Sequence, residues 1–428
     1  HAAAERLFQR MSAAGVRLLT NTTVWGAYPA AKGRGWLLTM HGPGAPSRLR
    51  AEVLILATGA YDRPVPFPGW TLPGVLTAGA VQTLLKNQRV LPGQRFLLSG
   101  TGPLQLSVAA NLIQAGAEVL GVLEGAQLSL WKGLKHITAM WGQGARIREG
   151  WSFLQTLRTA GVPYRTGWSV VEARGENEVE TVVIARLDRG WRPVPGTRET
   201  IAADTLVLGY GFLPATQLTR LLDCEHQFDL ASGGWLPRRD ELMQTTQPGV
   251  FAVGDGAGIG GAPLAQIEGR IAGTAAAGLV GKLTEKVVQE GVARQVPQLA
   301  RERRFAWLLA DFFTPAPGFY SLANKNSIIC RCEEVCLAQI REAVGIGARS
   351  VNEVKGLTRC GMGNCQGRIC GDLLARAIAA EINTGDDYAT HLEKAGTFTV
   401  RPPIHPLPLA ILAEAAVEPE DFDTMDKT

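Results

Sequence analysis

A chain of 428 residues with 46% hydrophobic and 19% charged residues can bury the cores of several domains, which excludes an intrinsically disordered protein. Its formal charge of +4 is small, and no run of Lys or Arg forms a basic stripe, so nucleic acid is excluded as an expected partner. No apolar stretch reaches the roughly 18 residues of a membrane span; Ile271 to Val280 is short and Gly/Ala-rich and predicts a packed helix.

The chain opens on His1 inside a predicted helix, with no signal-peptide pattern, and reads as a fragment of a longer cytoplasmic protein. Any contact with the inner membrane is left to its partners. Phe8-Gln-Arg-Met-Ser-Ala-Ala-Gly-Val16 has a counterpart in Leu154-Gln-Thr-Leu-Arg-Thr-Ala-Gly-Val162. The first copy continues through alternating strands at Thr22–Tyr28 and Trp36–His41 to the apolar Val53–Leu56, closed by Ala57-Thr58-Gly59. The second continues through Ser169–Ala173 and Glu180–Leu187 to Thr205-Leu-Val-Leu-Gly209. The shared order of helix, strand, meander and buried strand predicts a duplicated unit.

The second copy has a front half. Arg95–Ser99 is an apolar strand, Gly100-Thr-Gly102 a Gly-rich turn, and an amphipathic helix runs to Gln114. A second strand ends at Glu124, where an acid can bind a ribose hydroxyl. Gln105 stands where a full dinucleotide fingerprint wants a small residue, so this turn predicts NAD(P), another adenine nucleotide or a retained fold that binds neither. The first copy lacks this half, and a preceding βαβ of about a hundred residues is expected to supply it. Trp131, Trp141 and Trp151 are expected to pack.

Further on, Thr246-Gln-Pro-Gly-Val-Phe-Ala-Val-Gly-Asp-Gly256 predicts a buried strand and a tight turn, with a helix starting near Ala262. The duplicated units and this run resemble two-dinucleotide-binding-domain flavoproteins of the glutathione and thioredoxin reductase type, over residues 1 to about 285. The resemblance implies an α/β fold holding FAD, with Ala57, Thr58, Gly59, Gly254, Asp255 and Gly256 at the flavin. Asp255 would accept a hydrogen bond from a ribityl hydroxyl. The helix N-terminus would favour charge on the flavin's pyrimidine ring. No Cys-x-x-Cys occurs before residue 320, which argues against disulfide reduction.

Six of the seven cysteines lie between Cys330 and Cys370, a clustering that points to metal rather than disulfides. Cys224 reads as a buried small hydrophobe and Cys336 as structural. Cys330-Arg-Cys332 precedes Arg359-Cys-Gly-Met-Gly-Asn-Cys-Gln-Gly-Arg-Ile-Cys370 by about thirty residues. Gly361, Gly363 and Gly367 let amides turn toward sulfur. Arg331, Lys355, Arg359 and Arg368 are candidates to offset anionic charge. Helices at Ala338–Val344 and Leu373–Ile382 would box the site. Structural zinc is the alternative metal.

Residues 327–385 resemble the small helical [2Fe–2S] domain of bacterioferritin-associated ferredoxins. That resemblance implies Cys330 and Cys332 as the first ligand pair and Cys365 and Cys370 as the second, with Cys360 as the alternative. The predicted order is a first FAD part over residues 1–90, an inserted NAD(P)-type unit over 91–209 and a second FAD part over 210–285. A linker over 286–326, the [2Fe–2S] domain over 327–385 and a Pro-rich tail over 386–428, extended at Arg401–Pro408, follow. Together with Gly361-Met-Gly-Asn-Cys-Gln-Gly-Arg368, this order resembles the larger subunit of hetero-oligomeric amino-acid and opine dehydrogenases. That family implies an electron-relaying subunit beside a D-amino-acid-oxidase-like flavoprotein, and a further partner in a small ferredoxin-like subunit. A stand-alone NAD(P)H:acceptor oxidoreductase and a non-catalytic scaffold are the rival readings.

Overall fold

The computed structural model describes residues 2–30, 35–127, 135–382 and 388–415. The duplication is visible in it. Helix α1 (Ala2–Ala13) leads to the antiparallel meander β1 (Thr23–Pro29), β2 (Trp36–His41) and β3 (Arg48–Ala51). In the second copy α4 (Gly144–Thr159) leads to the meander β10 (Trp168–Arg174), β11 (Thr181–Arg186) and β12 (Glu199–Ala202). Both meanders slip register early in their first strand, between Val24 and Gly26 in one and Val170 and Glu172 in the other. Such a bulge bends and twists a strand. At Gly26 a Cβ would lie 2.4 Å from Thr39 Oγ1, so the bulge needs a residue without a side chain.

The inserted unit is built on a parallel sheet. Its five strands run in the order β6 (Val75–Thr77), β13 (Thr205–Gly209), β7 (Arg95–Gly100), β8 (Glu118–Glu124) and β9 (Tyr164–Thr166). Parallel sheets are covered on both faces, which is why β7 and β13 read as unbroken apolar runs. Phe96 and Leu98 face α3 (Leu104–Gln114), packing with Val108, Leu112 and Leu157. Leu97 and Leu206 face the other way, toward Val170, Val182 and Ile184 of the second meander.

The chain enters this unit through β5 (Ala60–Asp62) and leaves through β14 (Phe212–Pro214), which pair antiparallel. The flanking unit joins β4 (Leu54–Leu56) in parallel to β17 (Val250–Ala252), with α6 (Ala262–Leu279) packed over them. The helix expected over Ile271–Val280 is the second half of α6.

After helix α8 (Val296–Phe313) come the hairpin β18 (Ile328–Cys330) and β19 (Val335–Cys336), then α9 (Leu337–Gly345), α10 (Val351–Thr358) and α11 (Cys370–Ile382). This cysteine segment shares one apolar core with the inserted unit: Ile340, Leu373 and Ile378 belong to the same cluster as Val65, Phe67 and Trp70. Trp70 Nε1 donates to the Ile328 carbonyl at 2.8 Å. The Pro-rich stretch after Phe398 has no regular structure until Leu409 and lies across both parts. Its Ile404 N–H bonds the Trp25 carbonyl at 2.8 Å, and its Pro403 carbonyl accepts from Gln366 at 2.9 Å.

Two of the tryptophans depart from expectation. Trp141 is 83% exposed and Trp151 62%, so neither packs into the core; Trp131 lies outside the described residues. Among the described residues no helix is long and apolar enough to cross a membrane.

Candidate flavin and cysteine sites

The parallel pairing of β4 with β17 brings Ala57-Thr58-Gly59 beside Gly254-Asp255-Gly256. The approach is close: a Cβ on Gly256 would lie 2.5 Å from Thr58 Oγ1, and Gly254 has φ +66°. Thr58 Oγ1 donates to the Ala215 carbonyl at 2.6 Å, tying the turn to the strand that leaves the inserted unit. Asp255 Oδ1 accepts from the N–H groups of Gly260 and Gly261 at 2.9 and 2.8 Å, which shapes the loop entering α6.

A residue that sequence reasoning missed holds this motif in place. Glu268 of α6 accepts from the Gly254 N–H at 2.9 Å and from both terminal nitrogens of Arg239, at 2.9 and 3.0 Å. A bidentate carboxylate–guanidinium pair fixes orientation as well as charge.

Between Asp255 and the Gly100–Gly102 turn lies a cavity of about 240 Å³, with Arg63, Phe313, Tyr320 and Arg376 also on its wall. Of the sequence-predicted residues, Gly102 and Asp255 line this cavity. Gly100 is packed so that a Cβ would sit 2.2 Å from the Gly209 carbonyl oxygen, and Gly102 has φ +94°. Glu124 is 1% exposed. Its two oxygens accept from Gly102 N–H at 2.9 Å and Ala126 N–H at 2.8 Å, and burial pushes its carboxyl above the usual range. The carboxylate therefore binds the turn's own amides, and the Trp191 ring covers the neighbouring Gly125.

The second site is built from cysteines that the local fold delivers from three directions. The β18–β19 hairpin carries Cys330 and Cys332. Helix α10 starts at a capping box of Ser350 and Glu353 and stops at Arg359 in the left-handed conformation (φ +65°), which turns the chain so that Cys360 points inward. Cys370 is the first residue of α11.

The Sγ atoms of Cys330, Cys360 and Cys370 lie within 4.8 Å of one another, all buried. Cys365 is hydrogen-bonded to the thiols of Cys370 and Cys332. The contact with Cys370 is the largest cause that lowers Cys330 to about 5, and it lowers Cys365 to about 5 as well. Cys370 is the shared donor, held far above the ordinary thiol range by Cys330, Cys360 and Cys365. All five cysteines singled out from sequence therefore meet at one place. Cys336 instead caps α9, and Cys224 is buried against Thr245.

The glycines behave as expected at this site. Gly361 N–H points at Cys330 Sγ at 3.5 Å, and a Cβ on Gly363 would lie 2.2 Å from the Cys332 Cβ. Gly361 and Gly367 have φ +88° and +80°, and both back onto the Phe398 ring. The bases are employed differently. Arg359 pairs with Glu333 at 2.9 Å, and Arg368 binds the Cys365 and Ile404 carbonyls. Lys355 and Arg331 lie over the Phe398 and Trp70 rings.

Gly367→Ala should therefore disrupt the cysteine loop. The left-handed backbone alone costs about 1–2 kcal/mol for a residue with a Cβ, and that Cβ would meet Phe398 Cδ2 at 2.3 Å. Metal content per folded chain should fall, and adding Phe398→Ala should recover part of it.

Comparison with known proteins decides the family. The model of the pyridine nucleotide-disulphide oxidoreductase family matches residues 1–277. The chain belongs to that family. The sarcosine oxidase A3 domain matches residues 324–416. An opine oxidase subunit of Rhizobium meliloti (strain 1021) is 34% identical over 416 residues, covering 96% of this chain and 85% of that protein. Hydrogen cyanide synthase subunit HcnB of Pseudomonas aeruginosa is 35% identical over 373 residues, covering 85% and 76%. L-proline dehydrogenase from P. horikoshii shares the fold, with a TM-score of 0.62 at 19% identity over 91% of this chain and 64% of its own.

The resemblance to larger subunits of amino-acid and opine dehydrogenases is borne out, as is the thioredoxin-reductase-like α/β fold with a helical C-terminal region. The chain is a flavin oxidoreductase of the kind found as subunits of opine oxidase, hydrogen cyanide synthase and sarcosine oxidase.

Proposed function

We propose that this chain is the electron-transferring subunit of an amino-acid or opine dehydrogenase complex. FAD would be held by Ala57, Thr58, Gly59, Gly254, Asp255 and Gly256. A [2Fe–2S] cluster would be held by Cys330, Cys332, Cys365 and Cys370, with Cys360 as the alternative ligand. The donor set fits such a cluster: soft thiols gathered at one place, three with sulfurs within 4.8 Å of one another, and a backbone N–H directed at sulfur. Flavin accepts electrons as a pair and a [2Fe–2S] cluster exchanges them singly, so the two together supply a two-to-one electron converter.

One observation carries this reading. Arg63 and Arg376 line the cavity beside Asp255, and both bind the carboxylate of Asp372, at 3.0 and 2.8 Å. Asp372 stands two residues after Cys370, in the first turn of α11. A single buried ionic bridge thus connects the wall of the flavin cavity to the cysteine site. Its net positive charge favours electron density on either side.

Amine oxidation itself is assigned to a partner, a D-amino-acid-oxidase-like flavoprotein subunit; a small ferredoxin-like subunit is a further component. The support is that the relatives are themselves named as subunits. The full-length protein purified anaerobically should contain iron and acid-labile sulfide in equal amounts. It should also give a [2Fe–2S] electron paramagnetic resonance signal on reduction. Zinc in place of iron overturns the proposal.

A further inference from the structure

A second cavity, of about 130 Å³, lies between the flavoprotein core and the cysteine segment. We infer that it is a binding site for a small oxyanion, a phosphate or carboxylate group, received by Arg220, Arg368 and the indole N–H of Trp235.

Arg220 stands on the short helix Gln217–Leu221 and lines this cavity. Burial lowers it to about 10, and the neighbour acting on it is the Tyr61 phenol, neutral at pH 7. That hydroxyl already donates to Gln217 Oε1. Among the described residues the Arg220 guanidinium has no carboxylate partner. Trp235 also lines this space, and its Nε1 is buried without an acceptor. Arg368 reaches the same wall from the cysteine loop, beside Tyr61.

The charges around the cavity do not cancel. Asp372 is the one acid on its wall, and that carboxylate is already shared between Arg63 and Arg376. His226, packed near Arg220, adds no charge at neutral pH, because burial lowers it to about 4. Two guanidiniums thus line one small space with no free carboxylate on its wall, Arg368 meeting only the neutral Cys365 and Ile404 carbonyls, beside an unmet indole donor. Burying an uncompensated charge and an unpaired donor is costly, and an oxyanion answers both with charge-assisted hydrogen bonds. Phe228, Leu392 and Phe398 add apolar surface to the lining, which suits an anion carrying a small carbon substituent.

The proposal is independent of the cluster and is read without enzyme activity. Thermal unfolding of the full-length protein is followed while inorganic phosphate or acetate is titrated, with sodium chloride at matched ionic strength as control. A saturable rise in Tm with phosphate, acetate or both, and none with chloride, is expected. Phosphate alone identifies a phosphate-bearing ligand, and acetate alone a carboxylate.

Arg220→Met should abolish the rise and, in anion-free buffer, should unfold at a higher temperature than the parent. Trp235→Phe, which keeps the charge, should weaken the apparent affinity several-fold. An equal rise in the parent and Arg220→Met means an adventitious ion only and overturns the site. No saturable rise with either anion overturns it as well. If Arg220→Met does not fold, unchanged affinity in Trp235→Phe is the overturning result.

Discussion

Asp372→Ala should destabilise the protein by about 3–5 kcal/mol, the usual cost of removing one partner from a buried ion pair. The carboxylate is almost enclosed, with Arg63 and Arg376 side chains 7% and 5% exposed on either side of it. Burial alone would raise this carboxyl, but the two guanidiniums win and hold it below the usual range. Without it, two cations remain in a space with no other acid among the bonds described for them.

Arg63 keeps its bonds to the Phe212 and Gly233 carbonyls. Those are neutral acceptors and do not offset the charge. Adding Arg63→Met to Asp372→Ala should recover part of the loss, because it removes one of the stranded charges. Glu172→Ala supplies the contrast. Its bidentate pair with Arg174 is at the surface, where solvent screens it, and its loss should barely move the midpoint. Guanidinium-chloride midpoints for the parent and these three variants check the ordering. Flavin and metal content should fall together in Asp372→Ala, since the bridge reaches both sites. A midpoint for Asp372→Ala equal to that of Glu172→Ala would remove the bridge from the structure's main supports.

Much of this was legible along the chain. The apolar runs at Arg95–Ser99 and Thr205–Gly209 announce strands covered on both faces, and the two Ala-Gly-Val endings announce the repeat. Gly254-Asp-Gly256 is readable because a tight approach to Thr58 leaves no room for a side chain. What stayed hidden is the set of contacts between residues far apart in sequence. Glu268 and Arg239 are 29 residues apart and look like surface charges until α6 folds back onto β17. Asp372 and Arg63 are separated by 309 residues.

Glu124 shows a different limit. Its position at a strand end is readable, but its partners are decided by whichever amides the closed turn presents, and here these are its own neighbours. The tryptophans were misjudged because size suggests burial, while Trp141 and Trp151 stand on the outer side of a short turn and of α4. Equal spacing left Cys360/Cys365 and Cys365/Cys370 indistinguishable in sequence. The fold adds the contacts among the thiols but brings both choices within reach.

Cys370→Ser should abolish metal binding at the cysteine site, as the pairing of Cys365 with Cys370 requires. Cys370 Sγ lies within 4.8 Å of the Cys330 and Cys360 sulfurs and contacts Cys365, so it stands at the centre of the thiol group. Cys330→Ser should behave alike, since Gly361 N–H and the neighbouring thiols converge on that sulfur. The informative variants are Cys360→Ser and Cys365→Ser.

The contacts Cys332–Cys365 and Cys365–Cys370 form a continuous path through the favoured ligands, which predicts that Cys365→Ser loses the cluster and Cys360→Ser keeps it. Cys360 is fully buried. A hydroxyl placed there without a partner costs about 1–3 kcal/mol whether or not the sulfur is a ligand. Stability therefore cannot discriminate, and the readout has to be iron and sulfide per folded chain, with the paramagnetic spectrum of the reduced protein. Retained iron with unchanged g-values in Cys360→Ser assigns the fourth position to Cys365. Iron lost in Cys360→Ser and kept in Cys365→Ser moves it to Cys360.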